Sequence, residues 1–197
     1  MVLPILAYGD PVLKKKAQEI SPDYPELSQF ISNMWETMYA SHGVGLAAPQ
    51  VGESIRLFVV DASGFAEDET YTKEEREKFE SFKRVFINPS IIEEEGDKWA
   101  FEEGCLSIPD IREEIFRKSK LLLRYQDENF VEHEEEFDGI SARIIQHEYD
   151  HIEGVLFTDY LSPLRKRRLK RRLMKIAKGE IEVSYKMRFP MAKKARN

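Results

Sequence analysis

Two histidines one helical turn apart, with a glutamate beside the first, mark where this chain could do chemistry: the run is Gln146-His147-Glu148-Tyr149-Asp150-His151. Ile140, Ile144, His147 and His151 fall at i, i+4, i+7 and i+11. At about 100° per residue they share one helical stripe, so the imidazoles face the core along with the isoleucines. Imidazoles so spaced can bind one divalent cation. Glu148 then stands at the edge of the site, free to move a proton without being a ligand. Metal-assisted hydrolysis is the chemistry such a set supports. Without a metal, the same run is a buried helix whose histidines are satisfied by carbonyls.

Two imidazoles need at least one further protein ligand. The candidates are His42, His133, any of the 36 Asp and Glu residues, and Cys105, the single cysteine. His133 lies among Glu132, Glu134, Glu135 and Glu136 and reads as a solvated strand side chain, while His42 precedes a glycine turn. Cys105 is the best choice on chemical grounds, because a thiolate is a strong ligand for Zn²⁺ or Fe²⁺. Its alternative is an inert buried thiol.

The elements that must position these residues are legible in outline. Leu27, Phe30, Ile31, Met34, Trp35 and Met38 have helical spacing and predict an amphipathic helix over 25–40 that stops by Gly43. The small, apolar stretch 43–52 follows, with Gln50 as its only polar side chain; glycines 43 and 45 let the backbone take unusual dihedrals or come close to a ligand. Residues 55–61 and 83–92 have strand character, the second broken at Pro89. Residues 113–125 and 130–137 form a hairpin leading into the His-Glu helix, with Asp138 as N-cap and Gly154 as stop. The acidic stretch 62–83 reads as a surface insertion, partly helical or mobile, with no chemistry of its own. Strands followed by a packed helix mean an α+β fold, mostly antiparallel sheet around the His-Glu helix. A C-terminal helix over 163–179 carries Leu169, Leu173 and Ile176 on one side, and 180–197 reads as a frayed basic tail.

Composition narrows the class. Charged residues make up 34% and apolar residues 42%, as in globular proteins. No run approaches the roughly 18 apolar residues of a membrane span. One cysteine excludes a disulfide within the chain, and with no export signal at the start it predicts a cytoplasmic protein. The net charge of −6 hides a division: residues 165–197 hold 14 Lys/Arg against 2 Asp/Glu, and residues 1–164 hold 16 against 34.

Three stretches, in order, resemble the signature motifs of peptide deformylases: Gly43-x-Gly45-x-Ala47-Ala48-x-Gln50, Glu103-Gly104-Cys105-Leu106-Ser107 and Gln146-His147-Glu148-x-Asp150-His151. The likeness covers essentially the whole chain and fits the subgroup with a C-terminal helix. It implies a single catalytic domain over 1–179 whose metal is held by Cys105, His147 and His151. The implied ion is Fe²⁺ in the cell, with Ni²⁺, Co²⁺ or Zn²⁺ as replacements. Glu148 is implied to shuttle the proton, and the Gln50 side chain with the Leu106 N–H to stabilise an oxyanion. The implied substrate is a nascent peptide beginning with N-formylmethionine, met by Gly43, Val44, Gly45, Glu103, Gly104, Ile140 and Ile144, with formate as a product.

Arg143 falls where an apolar pocket residue is expected and reads as folding outward. The basic helix is expected to dock on the ribosome, with neither membrane nor DNA as a partner. Deleting 165–197 is expected to spare activity on short peptides. Two other readings compete. A zinc endopeptidase usually takes its third ligand from downstream, whereas no histidine follows His151. A nucleic-acid-binding module would use the basic helix and keep the metal as structure.

Overall fold

In chain order the computed structural model, which describes residues 1–192, runs β1 (Ile5–Leu6), α1 (Leu27–Ala40), β2 (Gly45–Ala47), β3 (Leu57–Asp61), α2 (Lys73–Glu80), β4 (Lys83–Cys105), β5 (Ile108–Gln126), β6 (Glu132–Asp138), α3 (Gly139–Ile152), α4 (Pro163–Lys178) and β7 (Met187–Arg188). Strands β2-β3-β4-β5-β6 form one sheet in that order, antiparallel at every step. A separate parallel pair joins β1 to β7. The α+β class expected from the sequence is the one observed.

The period of two along β3 sets the layering. Leu57 and Val59 face one side of the sheet, where they meet Ile31, Met34 and Met38 of α1. Phe58 and Val60 face the other, where they meet Ile140, Ile144, Ile145 and Ile152 of α3. The sheet is therefore a slab between two helices, and each large apolar side chain so buried stabilises it by about 1.5–3 kcal/mol. α3 enters at Asp138, whose carboxylate makes no capping hydrogen bond and instead lies 3.6 Å from Lys78 Nζ.

Strands β4 and β5 are 23 and 19 residues long, far longer than sequence reasoning assigned. Their register slips at four places, so the arm bends as it runs. One slip spans Pro89, beside Asn88 at φ 49°; proline there does not break the strand because a bulge leaves its missing N–H without a ladder partner. β3 pairs with β4 only as far as Ile87, and residues 98–105 continue against β5 as a two-stranded arm. This arm ends at Cys105, followed by a two-residue turn, Leu106-Ser107.

One other expectation is narrowed to its helical form and another changes. The insertion is ordered: a reciprocal Thr72–Glu75 cap starts α2, and Phe65, Tyr71 and Phe79 pack edge to face beside the core. The tail does not fray over 180–192. Ile5 N–H donates to Lys186 O at 2.9 Å, Ala7 N–H donates to Arg188 O at 3.0 Å, and Ile181, Met187 and Phe189 join the cluster under α4. These apolar residues have a place to bury, which a reading of overall charge misses. Residues 193–197 lie outside the described residues. Because Leu169, Leu173 and Ile176 are core here, cutting at 165 would open the fold as well as remove charge.

Candidate metal centre and active site

Cys105 at the end of β4 meets α3 across the fold. Its Sγ lies 3.3 Å from His151 Nε2, and one ligand atom from each of Cys105, His147 and His151 falls within 4.8 Å of the others. Bonds of about 2.0–2.3 Å to one central ion require donors this close. Among the described residues this is the only such group. The donor set is one sulfur and two imidazoles, suited to several first-row ions. The register slip between Gly104 and Cys105 turns the thiol out of the ladder toward α3.

The ring nitrogens are set differently. His147 Nδ1 lies 3.0 Å from Glu103 Oε2, which leaves Nε2 for the centre. His151 Nδ1 is buried without a partner among the described residues. Burial, reinforced by His147, drives His151 well below the usual imidazole range. Burial opposes the charge on His147 too, but its bonds to Cys105 and Glu103 outweigh that and hold it well above the range.

Gln50 reaches the centre from the short 3-10 turn Ala48–Val51 that follows β2. Its Oε1 accepts the Ala47 N–H at 2.9 Å, so the amide end must point the other way. There Nε2 contacts Cys105 Sγ at 3.5 Å and donates to Ser107 Oγ at 3.3 Å. Glu148 is buried against Gly45, with Oε2 unpartnered among the described residues. Burial pushes this carboxyl up to about 7, with His147 opposing and Glu103 and Asp150 adding to the rise. The two glycines of the first motif serve close approach. A Cβ on Gly45 would come 2.5 Å from Glu148 Oε1, and one on Gly43 would come 2.8 Å from Leu106 Cδ1.

Behind the histidines lies a buried ionic network that sequence reasoning missed. Arg117 Nε and Nη2 donate to both oxygens of Glu103, at 2.7 and 2.9 Å, and its Nη1 donates to Asp150 at 2.7 Å. Tyr160 Oη donates to the other Asp150 oxygen at 3.0 Å. Burial alone would raise Glu103, but Arg117 and His147 hold it well below the carboxylate range. Arg143 corrects an expectation: it does not fold outward but is 2% exposed. Its guanidinium donates to Glu103 Oε1, Ile115 O and Trp99 O and lies over the Trp99 ring. A cation stays buried there because a carboxylate and two carbonyls meet it.

The remaining candidates separate cleanly. His42 is exposed at φ 56°, just past α1, and His133 bonds Asp127 and stacks on Tyr125, so neither joins the centre. Val44 is exposed beside β2, while Ile140 and Ile144 are buried under the centre. The Glu103 carboxylate is taken up by two arginines and a histidine, so any peptide contact there falls to the backbone of residues 103–104. A charge pattern that pairs Glu103 with Arg117 and Arg143 across 14 and 40 residues has no local period by which sequence could reveal it.

Comparison with known proteins bears on the same residues. The family model for polypeptide deformylase matches residues 2–167. The peptide deformylase of Christiangramia forsetii is 59% identical over the full length of both chains, and that of Flavobacterium johnsoniae is 54% identical, again over both full lengths. Among solved structures, a peptide deformylase from Legionella pneumophila superposes with a TM-score of 0.77 at 34% identity, covering 91% of this chain and 98% of that one. The Thermotoga maritima peptide deformylase gives 0.70 at 40% identity, covering 83% and 99%. On this footing the chain belongs to the polypeptide deformylase family, metal-dependent hydrolases that remove the formyl group from the first residue of nascent polypeptides.

Proposed function

We propose that each part of deformylation falls to a particular residue of this site. Cys105, His147 and His151 hold one divalent ion, Fe²⁺ in the cell, with Ni²⁺, Co²⁺ or Zn²⁺ able to use the same donors. When bound, the ion supplies Lewis acidity toward water and the formyl oxygen. Glu148 accepts the proton of the attacking water and delivers it to the departing amine. Gln50 Nε2 and the Leu106 N–H donate to the oxygen that gains negative charge as the carbon becomes tetrahedral. The anchored Gln50 Oε1 supports this reading, since its amide end is already aimed before substrate arrives.

The substrate is a peptide beginning with N-formylmethionine. Its extended backbone adds alongside Gly43, Val44 and Gly45 at the sheet's end strand, with the 103–104 backbone opposite. Its thioether is received among Val44, Ile140 and Ile144. The catalytic unit takes in 180–192 as well as 1–179, because those residues share its core. The protein works in the cytoplasm, and α4 docks it on the ribosome through Arg167, Lys170, Arg171, Lys175 and Lys178, which line one exposed groove with Met174. No described helix is long and apolar enough to cross a membrane.

One observation carries the assignment: a sulfur and two imidazoles from distant parts of the chain meet at one point, with a buried carboxylate held beside them against Gly45. The test is Glu148→Gln, loaded with metal anaerobically and assayed for formate release from a formyl-Met peptide. Metal content should match the parent while kcat falls by about 10²–10⁴. A variant that turns over like the parent, or one that cannot hold metal, would refute the proton-shuttle role.

A further inference from the structure

The turn after Cys105 is braced from behind by a residue outside the part of the chain that the family model matches, residues 2–167. Tyr185 Oη donates to Leu106 O at 2.7 Å. Its ring packs beside the cluster that includes Ile5, Met38 and Leu46. The backbone on either side of the tyrosine is fixed separately, because Lys186 O accepts from Ile5 N–H and Arg188 O accepts from Ala7 N–H. The strap therefore stays in place without the hydroxyl, which is free to act on the turn alone. On the other sides of the turn, Ser107 O accepts the Tyr8 N–H at 2.8 Å, Ser107 Oγ accepts from Gln50, and the Leu106 side chain abuts Gly43. Of these restraints, only Tyr185 holds the Leu106 carbonyl.

We propose that Tyr185 is a positioning residue for deformylation: by holding the Leu106 carbonyl, its hydroxyl keeps the Leu106 N–H aimed at the oxygen that becomes negative. The inference rests on the assignment of Leu106 as an oxyanion donor. A peptide plane at a two-residue turn is free to rock about its flanking bonds, and a hydrogen bond to one plane limits the tilt of the next. A donor displaced by a fraction of an ångström weakens most where charge is greatest, so the penalty falls on turnover and not on substrate binding. The segment 180–192 thus belongs to the catalytic machinery at one remove, through a single hydroxyl.

The test compares Tyr185→Phe, Tyr185 replaced by 4-aminophenylalanine, and Gln50→Leu, all full-length and metal-loaded. Phenylalanine keeps the ring and loses the donor; the amino group restores one. For Tyr185→Phe the expected result is kcat down about tenfold, short of the 10²–10³ of a donor lost outright. KM for a formyl-Met peptide, metal content and melting temperature should stay close to the parent. The amino variant should recover most of that turnover. Unchanged kcat in Tyr185→Phe, a change confined to KM, loss of fold or metal, or equal loss in both ring variants would each overturn the proposal. If Gln50→Leu retains full kcat, the oxyanion assignment itself fails and takes the proposal with it. If Gln50→Leu is slow while Tyr185→Phe is not, the tyrosine alone is wrong.

Discussion

Helices α3 and α4 are of similar length and both carry many polar residues, yet they handle charge in opposite ways. α3 buries 11 of its 14 residues, among them Arg143, Glu148, Asp150 and His151. α4 buries only Leu169, Leu173, Ile176 and Ala177 of its 16 and turns the rest to solvent. Away from the metal centre, charge on α3 is held in place partner by partner: Arg143 on Glu103, Asp150 on Arg117 and Tyr160. On α4, Arg165 pairs with Glu113, Lys166 donates to Asp159 O and Arg172 donates to Asp110 O, while the groove-lining cations face water. Burial makes the first kind of charge sensitive to geometry, because a removed partner is not replaced by solvent. Exposure makes the second kind collective, screened and interchangeable.

The most severe way to test that contrast is Arg117→Leu, which leaves Asp150 in the interior with Tyr160 alone and Glu103 with only Arg143 and His147. Stability should fall by about 3–5 kcal/mol in denaturant titrations. With Glu103 released from Arg117, its grip on the His147 ring loosens, and metal affinity should weaken about 10–100-fold. A loss under about 1 kcal/mol would show the network to be dispensable. Next comes Gly45→Ala, whose methyl group must displace the Glu148 carboxylate. Overpacking of this kind costs about 1–3 kcal/mol, and formate release should drop more than melting temperature suggests. Parent-like kcat would mean that Glu148 acts from another position.

A smaller effect tests the half-buried middle ground. Burial tends to raise Glu153, but Lys16 and Arg56 hold it below the usual value. A depressed carboxylate stabilises the fold in full above its unfolded value of about 4.3. That contribution is lost as pH falls through the lower folded value. Glu153→Gln should flatten this acid limb and leave neutral-pH activity alone. Last, changing Arg167, Lys170, Arg171 and Lys175 to Gln should alter stability by no more than about 0.5 kcal/mol and peptide turnover not at all. Ribosome affinity should fall in the same variant, with a salt slope reduced by about one per cation that touched phosphate. This full-length variant replaces deletion at 165, since Leu169 and Leu173 are core.

Helices were the most legible part of the sequence. Ile31, Met34 and Met38 in α1, Ile140 and Ile144 in α3, and Leu169, Leu173 and Ile176 in α4 all repeat at a helix's period, and each set is buried. The meeting of Cys105 with the two histidines was reached from ligand chemistry. The β4–β5 arm was harder to see. Residues 93–98 run Glu-Glu-Glu-Gly-Asp-Lys and are all exposed, so no apolar alternation carries the strand pattern across them to the buried Glu103 and to Cys105 beyond. Arg143 was misplaced because an inward cation is explained only by Glu103, 40 residues upstream. The tail was misread because net charge dominated its appearance, whereas three apolar side chains and backbone hydrogen bonds to Ile5, Ala7 and Ala177 decide its path.

The pairing of β1 with β7 has a consequence for the protein's own synthesis. Ile5 and Leu6 leave the ribosome long before their partners Met187 and Arg188 are made. Strand β1 must wait, edge unfilled, while everything between it and β7 is made. A copy of this protein therefore closes only once residues 187–188 have emerged, and a chain stalled or cut before them lacks the clasp altogether.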